Sequence, residues 1–303
     1  MDHDHSHHHH HHHGDGSNIG TAFFLNFAFT IIEIIGGFWT GSIAILSDAL
    51  HDLGDTLSIG LAWYLQKVSK KGRTEQYTFG YKRFNTLGAI ITGLVLVAGS
   101  VFILTEAIPA LWNPGEPNAK GMIGLAILGV VVNGAAVFRL KKGGDSLNER
   151  VITMHLLEDV LGWVAVLIGS IVMYFYDVPW LDPAMSIGIT LYILYGVTKN
   201  LWSAGKIILQ AKPDGMEYGE VQKALNNITG VKDAHHLHLW TLDGQYHLGS
   251  AHLVVADSAD PQEVERIKSA ARKLTHDDFN LEHLTIEVEY GERSEHCKEE
   301  PSV

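Results

Sequence analysis

The chain has 303 residues, 46% of them hydrophobic, a formal net charge of -12 and one cysteine, Cys297. The negative charge excludes a generally basic nucleic-acid-binding protein, and a lone cysteine excludes an intramolecular disulfide. Cys297 is expected to be a free thiol, with a role as a spare metal ligand as the alternative. The long apolar runs lie in residues 17–209, whereas 210–303 have the composition of a soluble domain.

Histidine is concentrated at the start of the chain, which holds about half of the 19 histidines and an unbroken run over residues 7–13. The segment lacks the basic start and apolar stretch of a signal peptide. The run could be an expression tag, but the preceding Asp-His-Asp-His-Ser is unusual for one. We therefore favour a native His-rich tail over residues 1–16 that gathers metal ions.

Six stretches of the apolar part are long enough to cross a bilayer, which takes about 20 mainly apolar residues. They cover residues 17–39, 41–66, 84–108, 119–141, 151–176 and 182–209. The sequence therefore predicts an all-α, six-helix transmembrane domain over residues 17–209.

The loops that join these stretches alternate in charge. The loops after the second and fourth stretches are basic, and the other three joins contain no Lys or Arg. The basic residues include Lys67, Lys70, Lys71, Arg73, Lys141, Lys142 and Arg150. The positive-inside rule then places both termini in the cytoplasm, as expected of a multi-pass protein of the cell (inner) membrane.

A Pro/Gly break at 212–215 opens the soluble part. Apolar spacing predicts a helix over 217–227, strands over 231–242 and 246–256, a helix from Asp260 to about Leu274, and a strand over 283–290. The α-β-β-α-β order predicts a small ferredoxin-like α+β domain over residues 210–291. A polar tail, 292–303, follows it.

Ionisable residues inside a membrane span are costly and mark a functional site by default. They cluster in the second and fifth spans, at Asp48, His51, Asp52, Asp55, His155, Glu158 and Asp159. Each of these spans carries one His-x-x-x-Asp pair, and a separation of four places both side chains on one helix face. Two imidazoles and two carboxylates suit a tetrahedral zinc ion.

Depth along the helices gives a separate indication of the same site. At 1.5 Å per residue, His51 lies roughly 21 Å and Asp159 roughly 18 Å from the cytoplasmic ends of their helices. Because the two helices run antiparallel, His51 should lie level with Asp159, and Asp55 level with His155. The four donors are predicted to converge near the middle of the bilayer.

The other three acidic residues of these spans have a structural alternative, since an intramembrane carboxyl often bonds one helix to another. Asp48 is expected to cap or orient a ligand. Asp52 and Glu158 should point about 100° away from the stripe of ligands.

These motifs resemble the cation diffusion facilitator family of zinc and related metal transporters over about residues 17–291. The resemblance rests on residues 47–55, on Phe-Gly-Tyr-Lys-Arg at 79–83, and on residues 154–159. It implies a homodimer that exports metal from the cytosol, commonly in exchange for protons, with His51, Asp55, His155 and Asp159 as the transport site. A histidine at position 51 resembles the zinc-preferring branch. Asn85 departs from the glutamate that many members carry there.

The soluble part resembles the metal-sensing, dimerising domain of the same family, which implies a cytoplasmic metal site at His235, His252, His283 and Glu289. His283 is offset by one residue from the family position. His236, His238 and His247 are further donors; strand alternation places His236 and His238 on one face and His235 on the other, so they cannot all bind one ion. The alternative is that these are solvated surface histidines.

The ligands predict proton-coupled antiport of zinc, because a metal binds only neutral imidazole and therefore competes with protons. Zinc is expected as the transported and regulatory ion, with protons, lipid and a second copy of the chain as partners, and no nucleic acid or other cofactor. Alternatives are a family member preferring cobalt, cadmium or iron, or a membrane metal sensor without transport. A metallohydrolase lacks support, because a catalytic zinc has three protein ligands and an open position and no His-Glu-x-x-His occurs. A channel is disfavoured, because four coordinating ligands would hold an ion too long for rapid conduction.

Overall fold

The computed structural model describes residues 15–69, 73–140 and 147–292. The His-rich tail up to residue 14, and Cys297 with the chain from residue 293 on, lie outside the described residues. The chain divides into two compact units, one within residues 1–70 and 88–201 and one within 71–87 and 202–303. We refer to them as the membrane unit and the soluble unit.

Six long helices begin the described chain, and a short α+β segment follows them. The helices are α1 (Asp15–Thr40), α2 (Ile43–Ser69), α3 (Arg83–Ala110), α4 (Ala119–Leu140), α5 (Leu147–Phe175) and α6 (Leu181–Ile208). The remaining elements are α7 (Tyr218–Asn226), β1 (Asp233–Thr241), β2 (His247–Val255), α8 (Pro261–Phe279) and β3 (Leu281–Tyr290). The predicted fold class, six helices followed by α-β-β-α-β, is confirmed.

Four of the described helices are long and apolar enough to cross a membrane by length and composition alone. They are α1 (over Phe23–Thr40), α3, α5 (over Leu157–Phe175) and α6. Helix α4 has a shorter apolar stretch, Ala119–Ala135, and α2 carries three aspartates within its apolar sequence. One of those aspartates, Asp55, belongs to the predicted transport site.

Close packing at small residues holds α1, α2, α4 and α5 together. At Gly37, an added Cβ would lie 2.7 Å from a Leu46 methyl group, so only glycine allows α1 and α2 to approach this closely. Phe29, on α1, meets the fully buried Trp163, on α5, edge to face at 6.0 Å. Such van der Waals fit, rather than burial from water, is what stabilises helix packing in lipid, and it brings α2 and α5 into one bundle.

A three-stranded sheet in the order β1-β2-β3 forms the base of the soluble unit. Strands β1 and β2 are antiparallel, and β2 and β3 are parallel, joined by α8. Val221 and Leu225 of α7, and Val264 and Ile267 of α8, are buried in its core. The sheet places β2 in the middle, between the residues of β1 and β3 that form the second predicted site.

Helix α8 extends five residues beyond the predicted end near Leu274, to Phe279. Asp260 caps its start by accepting a hydrogen bond of 2.8 Å from the Glu263 amide. Thr275 is fully buried and donates to the Ala271 carbonyl at 2.8 Å. Thr275 thus extends the buried face of α8 although it is polar, so the spacing of apolar residues alone predicted an end that was too early.

Candidate metal centres

Three of the four predicted transport ligands lie together in the membrane unit. Donor atoms of His51, Asp55 and Asp159 are all within 4.8 Å of one another. His51 Nε2 lies 3.9 Å from Asp55 Oδ2 on the same helix and 3.7 Å from Asp159 Oδ1 on α5. The level pairing of His51 with Asp159 agrees with the depth estimate from the sequence.

The fourth predicted ligand, His155, is on α5, but its side chain lies outside the described part of the structure. Its backbone is helical, so it stands one turn before Asp159 on the same helix face. Its place in the site remains a prediction from this spacing.

The spacing of the three described donors is that of ion pairs without hydrogen bonds, and it is close to the spacing of ligands around one cation. Both distances exceed hydrogen-bond range. Donors at 2.0–2.2 Å from a tetrahedral zinc ion lie about 3.4 Å from one another, slightly closer than the distances here. In addition, Asp159 Oδ1 is buried and has no hydrogen-bond partner among the described residues. A buried acceptor of this kind is satisfied when a metal ion binds it.

Asp48 lies one turn before the ligands of α2 and is buried. Its Oδ1 is 3.5 Å from where a Cβ would lie on Gly162 of α5, so the carboxylate rests directly against that helix. This position, just past Asp159, is compatible with the expected orienting role. That role stays a prediction.

Glu158 points away from the ligand group, as expected: it is exposed and faces Tyr192 of α6. Asp52 departs from the expectation. It is buried within electrostatic reach of Asp159 and His51 as well as of Glu33 on α1. Glu33 is only 1% exposed, and neither of its carboxylate oxygens has a hydrogen-bond partner among the described residues. Glu33 was not among the predicted site residues, although it is the one ionisable residue of the first apolar span, which by itself marks a functional site.

A second residue outside the predicted sites, Asp182, holds the start of α2. Asp182, in the first turn of α6, accepts hydrogen bonds from the Ser42 hydroxyl at 2.5 Å and the Ile43 amide at 2.7 Å. One turn further, the hydroxyls of Ser47 and Ser186 are 2.6 Å apart. A carboxylate that caps a helix from another helix leaves no sequence signal beyond an aspartate at a helix start.

In the soluble unit, His235, His252 and Glu289 form a second group with donor atoms within 4.8 Å of one another. His252 Nδ1 is 2.9 Å from Glu289 Oε1, and His235 Nε2 is 3.4 Å from Glu289 Oε2. His235 Nδ1 also lies 2.9 Å from Asp233, but neither ring nitrogen of His235 has hydrogen-bonding geometry. Two imidazoles and a carboxylate, one from each strand, could hold a zinc ion here.

The predicted placement of His235 and His236 on opposite faces of β1 is wrong, although His236 does lie beside His238 as predicted. The strand has a β-bulge between His235 and His238, and His236 has a left-handed backbone with φ of 48°. A bulge adds a residue to one strand and turns its side chain. As a result, the rings of both His235 and His236 lie beside His252, with centroids at 5.5 and 4.7 Å. His236 therefore belongs to the surroundings of the second group.

The structure does not bring His283 to this group. His283 pairs with Leu248, whereas His252 pairs with Glu287, so four positions of about 3.3 Å separate them along the sheet. His238 is exposed, and its ring lies 4.6 Å from that of His236. His247 begins β2, where burial lowers the pKa of its imidazole below its ordinary value, against the opposing charges of Asp243 and Glu282.

Two family models match the chain in succession. The one described as cation efflux transmembrane domain matches residues 20–209, and the one described as cation efflux protein, cytoplasmic domain, matches residues 213–290.

The chain is also similar to characterised proteins along most of its length. It is 33% identical to the cadmium, cobalt and zinc/H(+)-K(+) antiporter of Bacillus subtilis, over 88% of this chain and 87% of that protein. It is 34% identical to the metal cation efflux system protein CzcD of Cupriavidus metallidurans, over 86% and 82%, and 28% identical to the zinc transporter ZitB of Escherichia coli, over 89% and 86%. The solved metal-bound C-terminal domain of CzcD is 27% identical, with a TM-score of 0.23 over 24% of this chain and 99% of that domain.

Proposed function

The chain belongs to the cation efflux family, and on that premise we propose that it exports a divalent transition metal ion, zinc first, in exchange for protons. It is a multi-pass membrane transporter and not an enzyme. The single observation that carries the proposal is the convergence of His51 and Asp55 on one helix with Asp159 on another.

The proposed transport site consists of these three residues and His155. The unsatisfied, buried Oδ1 of Asp159 supports it, as do donor distances slightly longer than those around a bound zinc ion. Two carboxylates and two neutral imidazoles balance the charge of a divalent cation. Without a cation, they would leave two carboxylates facing each other in the bilayer, which is costly.

Proton coupling follows from the chemistry of the ligands. A metal ion binds imidazole only in its neutral form, so a metal that enters from the cytoplasm displaces protons. Protons from the other side then displace the metal when the site faces outward. The similar Bacillus subtilis protein is described as a cadmium, cobalt and zinc/H(+)-K(+) antiporter, which supports proton exchange in this chain. Alternating exposure of the site by helix movement completes the cycle.

The preference for zinc rests on the donor set and on the relatives. Mixed imidazole and carboxylate ligands also accept cobalt, cadmium and iron, so donor type alone does not select one metal. The relatives include a zinc transporter and an antiporter for cadmium, cobalt and zinc. We propose that His51, in place of a carboxylate, favours zinc over cadmium.

The organisation of the chain is proposed on the same basis. Residues 1–16 would form a metal-gathering tail, 17–209 the transport domain, 210–291 a cytoplasmic metal-binding and dimerisation domain, and 292–303 a polar tail. Both termini would face the cytoplasm of the cell membrane, in line with the basic loops.

A second proposed function, metal sensing by the soluble unit, is carried by the group of His235, His252 and Glu289. One ligand comes from each strand of the sheet, so a bound ion would fix the three strands together. We propose that binding here reports cytoplasmic zinc to the transporter. His283 would take no part in the site within one chain.

Zinc uptake into proteoliposomes tests the transport proposal. With the cytoplasmic face outward, an acidic lumen should accelerate zinc uptake, and the lumen should become more alkaline as zinc enters. Uptake that ignores the pH gradient and moves no protons would contradict antiport.

A further inference from the structure

Glu33 is a buried carboxyl group that the proposed metal site does not use. It lies two turns before the end of α1, is 1% exposed, and has no hydrogen-bond partner for either oxygen among the described residues. An isolated buried carboxylate is so unfavourable that the group takes up a proton or a cation instead. Glu33 therefore needs a proton or a cation that compensates its negative charge.

The groups around Glu33 carry the same charge. Asp52 and Asp48 face it from α2, and Asp159 acts on it from α5. Helix α4 also packs against α1. Its basic residue at the outer end of the bundle, Lys120, lies level with the end of α1, which is about 10 Å from Glu33 along the axis of α1. No cation of the described residues neutralises this carboxyl group.

The pair of Glu33 and Asp52 is suited to a proton in particular. Two ionised carboxylates are both acceptors and cannot hydrogen-bond to each other, whereas one proton turns one of them into a donor. A metal ion fits less well, because Glu33 does not belong to either group of described residues whose donor atoms converge. No imidazole is part of the pair.

Resting on the proposed antiport function, we infer that Glu33 binds one of the exchanged protons, at a site separate from the metal ligands. In the outward-facing state, Glu33 takes a proton from the outer solution and donates it in a hydrogen bond to Asp52. In the inward-facing state, the arrival of a divalent cation beside Asp159 replaces the repulsion on Glu33, its O–H bond breaks, and the proton leaves to the cytoplasm. Proton and metal then weaken each other's binding by the same factor.

The position of Asp52 on α2 explains how the proton site at Glu33 and the proposed metal site communicate. Asp52 follows His51 directly in the chain, so it belongs to the same helical turn as one proposed ligand, and its carboxylate interacts both with Asp159 of α5 and with Glu33 of α1. Asn26 of α1 donates to the Asp52 carbonyl at 3.1 Å and to the Thr56 hydroxyl at 2.9 Å, which fixes the two helices on this side. The proton site thus lies behind the ligand helix without competing for its donors.

The test measures zinc accumulation by the full chain in proteoliposomes at zero membrane potential, over a series of pH differences. The slope of the logarithm of the zinc ratio against the pH difference gives the number of protons per zinc ion. In Glu33→Gln, which is permanently neutral and keeps the shape, the slope should fall by about one. The control Glu106→Gln makes the same change at an exposed position of α3 and should keep the parental slope.

The outcomes separate this inference from the proposed function. A parental slope in folded Glu33→Gln overturns the proton site and leaves antiport intact. A slope of zero in the parent overturns antiport itself. If Glu33→Gln does not fold, Glu33→Met serves in its place, because it also removes the titratable group while keeping a similar length; a parental slope there overturns the inference.

Discussion

Nε2 of His51 on α2 and Oδ1 of Asp159 on α5 lie 3.7 Å apart, too far for a hydrogen bond and close to the separation of two ligands on one zinc ion. The relation joins two helices at residues that are 108 positions apart in the chain. One turn after Asp159, Trp163 packs edge to face on Phe29 of α1. The site is thus a property of the bundle and not of either helix alone.

Removal of the α5 carboxylate should weaken zinc binding strongly. In Asp159→Ala, we expect the affinity to fall by about 100-fold or more, because even outer-shell residues contribute 10–100-fold. Isothermal titration of the detergent-solubilised chain measures this. Glu158→Ala, at the adjacent exposed position, is the matched control and should bind zinc like the parent. Equal affinities in the two variants would argue against Asp159 as a ligand.

The choice of metal should depend on residue 51. His51→Asp replaces a nitrogen donor with an oxygen donor and should relax discrimination against cadmium. Competing uptake of zinc and cadmium by proteoliposomes gives the ratio directly. A variant that transports both ions in the parental ratio would show that the selectivity lies elsewhere.

The cap between α6 and α2 should stabilise the membrane unit. Asp182→Ala leaves the Ser42 hydroxyl and the Ile43 amide without their acceptor and should cost about 1–2 kcal/mol. Thermal unfolding in detergent should show a lower Tm for this variant, while Asp177→Ala, at an exposed position before α6, should unfold with the parent. Coincident curves for all three proteins would refute the cap.

Zinc should stabilise the soluble unit through Glu289. A ligand that binds only the folded state adds about 2.7 kcal/mol at a concentration 100 times its Kd. We expect zinc to raise the Tm of a fragment over residues 210–292, but not that of the same fragment with Glu289→Gln. Glu265→Gln, on the exposed side of α8, should respond like the parent. An undiminished response in Glu289→Gln would exclude the site.

The stability of the same fragment should fall in mild acid because of His247. Burial lowers the pKa of His247 in the folded state below its ordinary 6.5. The unfolded chain therefore takes up the proton first as the pH falls through about 6.5, and the folded state loses stability below that pH and not above it. Between pH 7.5 and 5.5, urea unfolding should show a smaller loss of unfolding free energy for His247→Gln than for the parent fragment. His276→Gln, at an exposed position, should lose as much as the parent. An equal loss in His247→Gln would contradict the assignment.

Much of the fold and of the membrane site could be predicted because both depend on local periodicity. Length and hydropathy define the six helices, and the spacing of four in His51/Asp55 and in His155/Asp159 defines a ligand face on each helix. Because α2 and α5 are antiparallel, a count of residues from their cytoplasmic ends is then enough to predict which ligands lie at the same depth.

Relations between distant residues could not be predicted in this way. Asp182 meets Ser42 across 140 positions, and Glu33 meets Asp52 across a helix interface that no periodicity specifies. The bulge at His236 depends on a positive φ at a residue that is not glycine, for which the sequence carries no mark. Each of these requires the packed structure.

X-ray absorption of zinc bound to the chain without its His-rich residues 1–16 tests the proposed site most directly, once the soluble site has been disabled with Glu289→Gln. The account predicts one tightly bound zinc ion per chain with two imidazole nitrogens and two carboxylate oxygens at about 2.0–2.2 Å, and the loss of one imidazole contribution in His51→Ala. A bound ion whose spectrum keeps both imidazoles in His51→Ala and likewise in His155→Ala would contradict it.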